Sequence, residues 1–322
     1  MNFLILLSTL LQVADPVETP TVVVAVGAGG SHEYDQRFQE WAEQWKLAAT
    51  QGGATYHRVG EDTDTNRADR ERLQDMLSAR ATPSTAPLWV VLIGHGTFDG
   101  RSAKFNLRGP DVTAAELDSW LRPIARPQII INCTSSSAPF INRLSATNRI
   151  VITATKSGFE LNYARFGSYL CAAITDPGAD LDKDGQTSLL EAFLFASARV
   201  SEFYAQEARL QTETALIDDN GDSRGTPAAW FRGIHTTRRP RDAAAEPDGA
   251  RAHQVHLVPS PRENDMPRAL RAERDEIELQ IARLRQAKSE MRDDEYYAAL
   301  ESLLIRMARI YERVEQPRTN SD

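Results

Sequence analysis

Two rhythms of apolar residues alternate along most of this chain. Residues 21–26 form a continuous β-branched run, and residues 38–49 then carry apolar side chains at helical spacing, so a strand followed by a helix is expected. The same alternation predicts a short strand over 54–59, a polar helix over 67–81 and a fully apolar strand over 88–93, with a Pro-containing loop at 82–87. Thr113 followed by Glu116 reads as a capping box opening a helix that ends near Leu121. Residues 128–131 and 150–153 are two more buried strands. Strands apolar on both faces, separated by helices, predict an α/β fold: a three-layer sandwich around a mostly parallel central sheet.

The pattern changes near residue 236. Residues 236–265 are rich in Arg, Pro, Ala and Asp and read as a linker, followed over 266–316 by a C-terminal α-helical hairpin. One seam of the hairpin is Leu270, Ile277, Ile281, Leu284 and Met291. The other is Tyr297, Leu300, Leu304, Met307, Tyr311 and Val314, with the break at Arg292, Asp293 and Asp294. Such a pair either packs on the main domain or serves self-association or partner binding. At the other end, residues 3–13 are apolar but too short to span a bilayer. Residues 1–14 therefore read as a signal peptide, and the expected location is exported, periplasmic or extracellular. This leaves 20–235 as the main domain.

Composition narrows the function. Of 322 residues, 25% are charged and 41% apolar, which is ordinary for a folded chain. The net charge of -8 repels polyanions and no basic patch offsets it, so nucleic acid is not an expected partner. With only two cysteines, Cys133 and Cys171, no disulfide framework is expected. Cys171 lies in the apolar stretch 166–174 and reads as a helix-core residue more simply than as a disulfide partner of Cys133.

The chemistry concentrates at two strand ends. His95, between Gly94 and Gly96, follows the apolar strand 88–93, at the carboxyl edge where open α/β sheets present ligand sites. Cys133 closes the next long apolar strand, before Thr134, Ser135, Ser136 and Ser137. If the strands are neighbours, an imidazole there can take the thiol proton and later protonate a leaving amine, while the N–H groups of Gly96 and Cys133 stabilise an oxyanion.

An apolar strand ending in His-Gly, then one ending in Cys followed by small hydroxyl residues, resembles the caspase and legumain superfamily of cysteine peptidases over roughly residues 20–235. The resemblance implies a caspase-like fold and peptide or protein substrates, with His95 as base, Cys133 as nucleophile and Gly96 as oxyanion donor. It also implies a specificity pocket at Ser31, His32 and Glu33, at Thr134, and at Thr155, Lys156 and Glu160, where Glu33 or Glu160 would select a basic side chain. The chain lacks the caspase pentapeptide, so aspartate specificity is not transferred.

The run 180–191 meets every requirement of an EF-hand calcium loop. Asp180, Asp182 and Asp184 stand at positions one, three and five, Gly185 at six, Gln186 at seven and Glu191 at twelve. Calcium is thus the expected cofactor. A second acidic run, Asp218 to Asp222, lacks Gly at its sixth position and the final Glu; it either binds a second ion or turns the chain, with the turn the slightly simpler reading. Gly27, Gly29 and Gly30 do not complete a dinucleotide fingerprint, because His32 stands where Gly or Ala is required. The expected function is an exported, calcium-stabilised cysteine endopeptidase. The alternative is a catalytically inactive calcium-binding pseudopeptidase scaffold that binds partners through the hairpin.

Overall fold

The computed structural model describes residues 18–60, 67–242 and 245–315; the segment 1–14, read as a signal peptide, lies outside them. The β-branched run forms strand β1 (Thr21–Val26), buried throughout. Helix α1 (His32–Gln51) starts six residues before its apolar stripe, because the Ser31 hydroxyl accepts the Tyr34 N–H as a cap. Then come β2 (Thr55–Val59), α2 (Asp69–Ser78) and β3 (Leu88–Ile93). Three short strands, β4 (Gly96–Phe98), β5 (Ala103–Phe105) and β6 (Val112–Thr113), form a separate antiparallel sheet. Helix α3 (Ala114–Leu121) follows, opened by the capping box of Thr113 and Glu116. Strand β7 (Gln128–Asn132), α4 (Pro139–Leu144), β8 (Arg149–Thr153), α5 (Phe166–Ala173) and α6 (Leu189–Gln206) complete the alternation.

The main sheet has seven strands. Five of them, in the order β8-β7-β3-β1-β2, are parallel, and β9 (Leu216–Asp218) and β10 (Thr226–Pro227) add antiparallel strands beside β8. Successive side chains of a strand point to opposite faces, and here the parity is strict. Val22, Val24, Trp89, Val91, Ile129, Ile131 and Cys133 pack with residues of α1, α5 and α6. Val23, Ala25, Val90, Leu92, Ile130 and Val151 pack with residues of α2, α3 and α4. The architecture is the expected three-layer α/β sandwich. The antiparallel strands escaped the sequence reading because they are two or three residues long and carry no periodicity.

After a small hairpin, β11 (Phe231–Arg232) with β12 (His235–Thr236), the chain runs without long elements to α7 (Pro261–Asp265). It buries Ala252 and Leu257 on the way, and Leu189 N–H donates to Val255 O. Helices α8 (Arg268–Ala287) and α9 (Asp293–Glu315) then pair around Leu270, Ile277, Ile281 and Ile310. On α9 the seam differs from the expected one: Tyr297 and Leu304 are half exposed, whereas Tyr296 and Ile310 are buried. Apolar residues at 296–297 and at 303–305 offer two faces, and packing on α8 selects one.

The turn into α8 is held by a buried ion pair. Arg274 Nη2 donates to Glu263 Oε1 at 2.9 Å, and Nη1 to the other oxygen at 2.5 Å. Burial alone would raise the Glu263 carboxyl, but the Arg274 and Arg271 guanidiniums hold it below the usual glutamate range. Glu263→Gln removes one of two carboxylates that pair with the buried Arg274 guanidinium, the other being Asp275 at 2.6 Å, and should cost about 2 kcal/mol in urea unfolding. Because the folded value is depressed, the contribution is complete above the unfolded glutamate value of about 4.3 and is lost as pH falls through the folded value. The Glu263→Gln variant should therefore flatten the stability loss on acidification. An unchanged pH profile would show that the pair carries no such linkage.

Candidate functional site

Strands β3 and β7 pair directly and in parallel, with Leu92 beside Asn132, so the segments carrying His95 and Cys133 leave the sheet side by side at its carboxyl edge. The ladder runs one residue further than the strand: Cys133 N–H donates to Leu92 O at 2.9 Å. That bond fixes the thiol. Cys133 keeps the parity of Ile129 and Ile131 and enters the α1/α5/α6 layer, where it is 1% exposed. A Cβ built on Gly167 of α5 would lie 2.6 Å from the Cys133 Cβ, 3.0 Å from its Sγ and 2.8 Å from the Trp41 ring, so the helix closes directly over the thiol. Burial, and secondarily the neighbouring Cys171, push the Cys133 thiol well above its usual range. Cys171 is a buried helix residue, pushed up to about 12 by burial, and donates to Gln44 Oε1 at 2.7 Å; both cysteines are free thiols.

His95 occupies an aromatic box. Its ring meets Tyr34 and Phe38 edge-on, at centroid distances of 5.0 and 5.3 Å, and Nε2 lies 3.1 Å from Gly29 O. Among the hydrogen bonds of the described residues none joins His95 to Cys133. Gly96 is required where it stands, because a Cβ there would come within 2.5 Å of Thr134 Oγ1 and 2.3 Å of Ser135 O. Its N–H donates to Ser135 Oγ at 3.3 Å, and Ser135 Oγ donates to Gly96 O at 3.1 Å. Both N–H groups read as oxyanion donors are thus engaged, one by the ladder and one by a serine. The side chain brought to the His-Gly backbone is that of Ser135. Continuing the β3–β7 register three steps from Leu92 and Asn132 sets His95 opposite Ser135, a count that needs only the correct strand ends.

The four residues after Cys133 make a closed hydroxyl-rich corner. Asn132 Oδ1 accepts from Thr134 N–H at 3.0 Å and from its hydroxyl at 2.7 Å. Thr155 Oγ1 accepts from Ser137 N–H and Ala138 N–H, so this expected pocket residue is buried and braces the corner. Asn132 Nδ2 and Ser136 Oγ are buried without a hydrogen-bond partner. The Glu160 backbone accepts Ser136 N–H at 2.9 Å, and its carboxylate accepts Lys156 N–H and Thr214 N–H. Burial raises the Glu160 carboxyl against these bonds. His32 and Glu33 are exposed at the start of α1, where Glu33 pairs with Arg37 at 2.7 Å. Tyr163, unmarked in the sequence, lies 4.8 Å centroid to centroid from Tyr34 and 6.4 Å from His95; burial pushes its phenol up to about 12 against the pull of Arg37.

The acidic loop joins the end of α5 to the start of α6, at the far end of α5 from Cys133. Oxygens of Asp180, Asp182 and Asp184 come within 4.8 Å of one another. Gly185 takes a φ of +92°, as its position requires. Glu191 is 1% exposed and sits at the third position of α6, where Oε2 accepts the Ser188 N–H and hydroxyl while Oε1 accepts Leu181 and Asp182 N–H. Gln186 Oε1 accepts Ser260 N–H at 2.9 Å. His253 joins from the downstream segment, its Nε2 3.0 Å from Asp182 Oδ2, a contact no local spacing announces.

No protein-family model matches the chain, and no curated protein matches it. Solved structures do. The Drosophila initiator caspase Dronc is similar at 13% identity with a TM-score of 0.44, over 64% of this chain and 81% of that one. Caspase-1 from Spodoptera frugiperda is similar at 11% identity and a TM-score of 0.42, over 62% and 86%. A protein from Geobacter sulfurreducens is similar at 10% identity and a TM-score of 0.40, over 62% and 92%.

Two measurements follow from the closed thiol. Neither cysteine should react with a thiol dye in the native protein, and both should react once it is unfolded in guanidinium. Gly167→Ala forces a methyl against Cys133 and Trp41 and should cost roughly 1–3 kcal/mol by overpacking. Rapid native labelling of Cys133, or an unaltered denaturation midpoint, would contradict the packing.

Proposed function

We propose that this chain is a calcium-stabilised scaffold with a cysteine-peptidase-like α/β fold, in which Cys133 serves the core and not peptide hydrolysis. The observation that carries the proposal is the position of the thiol: 1% exposed, raised by burial, roofed by α5 and bonded to no base among the described residues. A nucleophilic cysteine needs a thiolate within reach of both substrate and imidazole. A second reading, an exported endopeptidase acting through His95 and Cys133, is supported by the direct pairing of the two strands that carry them. It requires α5 to uncover the thiol.

An acyloxymethylketone peptide probe separates the two. The scaffold reading expects no label on Cys133. Labelling that disappears in both Cys133→Ala and His95→Ala would establish the peptidase instead, and a panel ending in Arg, Asn or Asp would then report whether Glu33 or Glu160 favours a basic residue.

For calcium, the convergent oxygens of Asp180, Asp182 and Asp184 support an all-oxygen site suited to a hard cation, with Gln186 and Glu191 completing the expected loop. An ion bound only by the folded chain adds about 2.7 kcal/mol at one hundred times its dissociation constant, equivalent to roughly 5–10 °C in melting temperature for a domain of this size. Chelation should lower the midpoint by at least that amount, and Asp182→Ala should reduce the response. A midpoint indifferent to chelator would remove calcium from this loop.

A further inference from the structure

The acidic run at the end of β9, which the sequence reads as a turn, repeats the hydrogen bonding of the loop at 180–186. In that loop the first aspartate, Asp180, accepts the N–H of Lys183 at 2.7 Å; the third residue, Asp182, accepts that of Asp184 at 3.2 Å; the fifth, Asp184, accepts that of Gln186 at 3.0 Å. In the second run Asp218 accepts Gly221 N–H at 3.0 Å, Asn220 accepts Asp222 N–H at 2.9 Å, and Asp222 accepts Arg224 N–H at 2.9 Å. The fourth and sixth residues are left-handed in both: Lys183 and Gly185 at φ +64° and +92°, Gly221 and Ser223 at +78° and +63°. Ser223 thus adopts the backbone for which the sequence demanded a glycine.

Similar loops alone do not make a site. A separate observation points to a ligand. Asp218 is 1% exposed, and while its Oδ1 is used by Gly221, its Oδ2 is buried with no hydrogen-bond partner. A buried carboxylate oxygen left without donor or cation is costly. A further carboxylate, that of Asp248, adjoins the run from a distant part of the chain through the Asp219 N–H. Asp248, 6% exposed, accepts from Thr226 Oγ1 and Asp219 N–H, whereas Asp219 is occupied by Gly249 N–H at 2.9 Å and Ala252 N–H at 2.8 Å. No lysine or arginine among the described residues forms an ion pair with Asp218, Asp222 or Asp248. The nearby Arg251 pairs with Glu246, and Arg238 donates to Gly225 O and Thr226 Oγ1.

We propose that Asp218, Asn220, Asp222 and Asp248 form a second divalent-cation site, suited to a hard ion such as calcium because every donor is an oxygen. Asp248 takes the part that the twelfth-position glutamate plays in a loop contiguous in sequence. The cation binds β9 and the 246–252 segment to each other and neutralises the carboxylates gathered there.

The test counts calcium ions bound by the full chain, by native mass spectrometry and by calorimetric titration with calcium chloride. Asp222→Asn keeps an oxygen for the Arg224 N–H, gives up one of the two acceptors by losing the partner of the Arg241 N–H, and removes the charge; it should bind one ion fewer than the wild type. Asp182→Ala/Asp184→Ala disables the other loop and leaves this one untouched, and it should retain one ion. The proposal is overturned if the Asp222→Asn variant binds as many ions as the wild type, or if the double variant binds none. The double variant decides the matter even if the Asp222→Asn protein fails to fold, and a failure of the 180–191 loop alone would appear as a wild type and double variant that each bind one.

Discussion

One backbone hydrogen bond governs the edge of this molecule. By donating to Leu92 O, the Cys133 N–H prolongs the β3–β7 ladder one step past the strand and keeps the cysteine in strand parity. A side chain in that parity must enter the helical layer that already receives Ile129 and Ile131. The chain is released from the sheet only after that point, and the Asn132 side chain then turns it by capping Thr134. The first side chain free of the ladder to hydrogen-bond the His-Gly backbone is therefore a serine.

Much of the fold could be read from the chain, and the reason is local. Strands β1 and β3 and the start of α3 each carry their signal within a few residues, as a β-branched run, an apolar run or a capping box. The sheet order and the adjacency of the two chemistry-bearing strand ends follow from parallel pairing of such strands. The direction of an individual side chain at a strand end does not, because it depends on whether the ladder stops at Asn132 or at Cys133. A difference of one residue moves the thiol from the rim to the core. Sequence identifies His95 and Cys133 as neighbours in topology, and the last ladder bond decides what each touches.

The acidic loops show the same limit from another side. Asp180, Asp182 and Asp184 are legible because their spacing is local. Ser223 conceals the second loop, since a left-handed serine is written in no composition rule. Asp248 and His253 are invisible for a further reason: each reaches its acidic partner across a long stretch of chain, through folding of a segment that sequence presents as a spacer.

That segment changes what counts as the end of the domain. Asp219 receives the N–H groups of Gly249 and Ala252, Gln186 receives that of Ser260, and Leu189 gives its own to Val255. A chain cut after residue 235, where composition first shifts, would strip partners from both acidic loops and from the first turn of α6. The stretch 249–260 is consequently bonded to the sandwich at several points, less like a tether than like a brace fitted across the mouth of the first acidic loop.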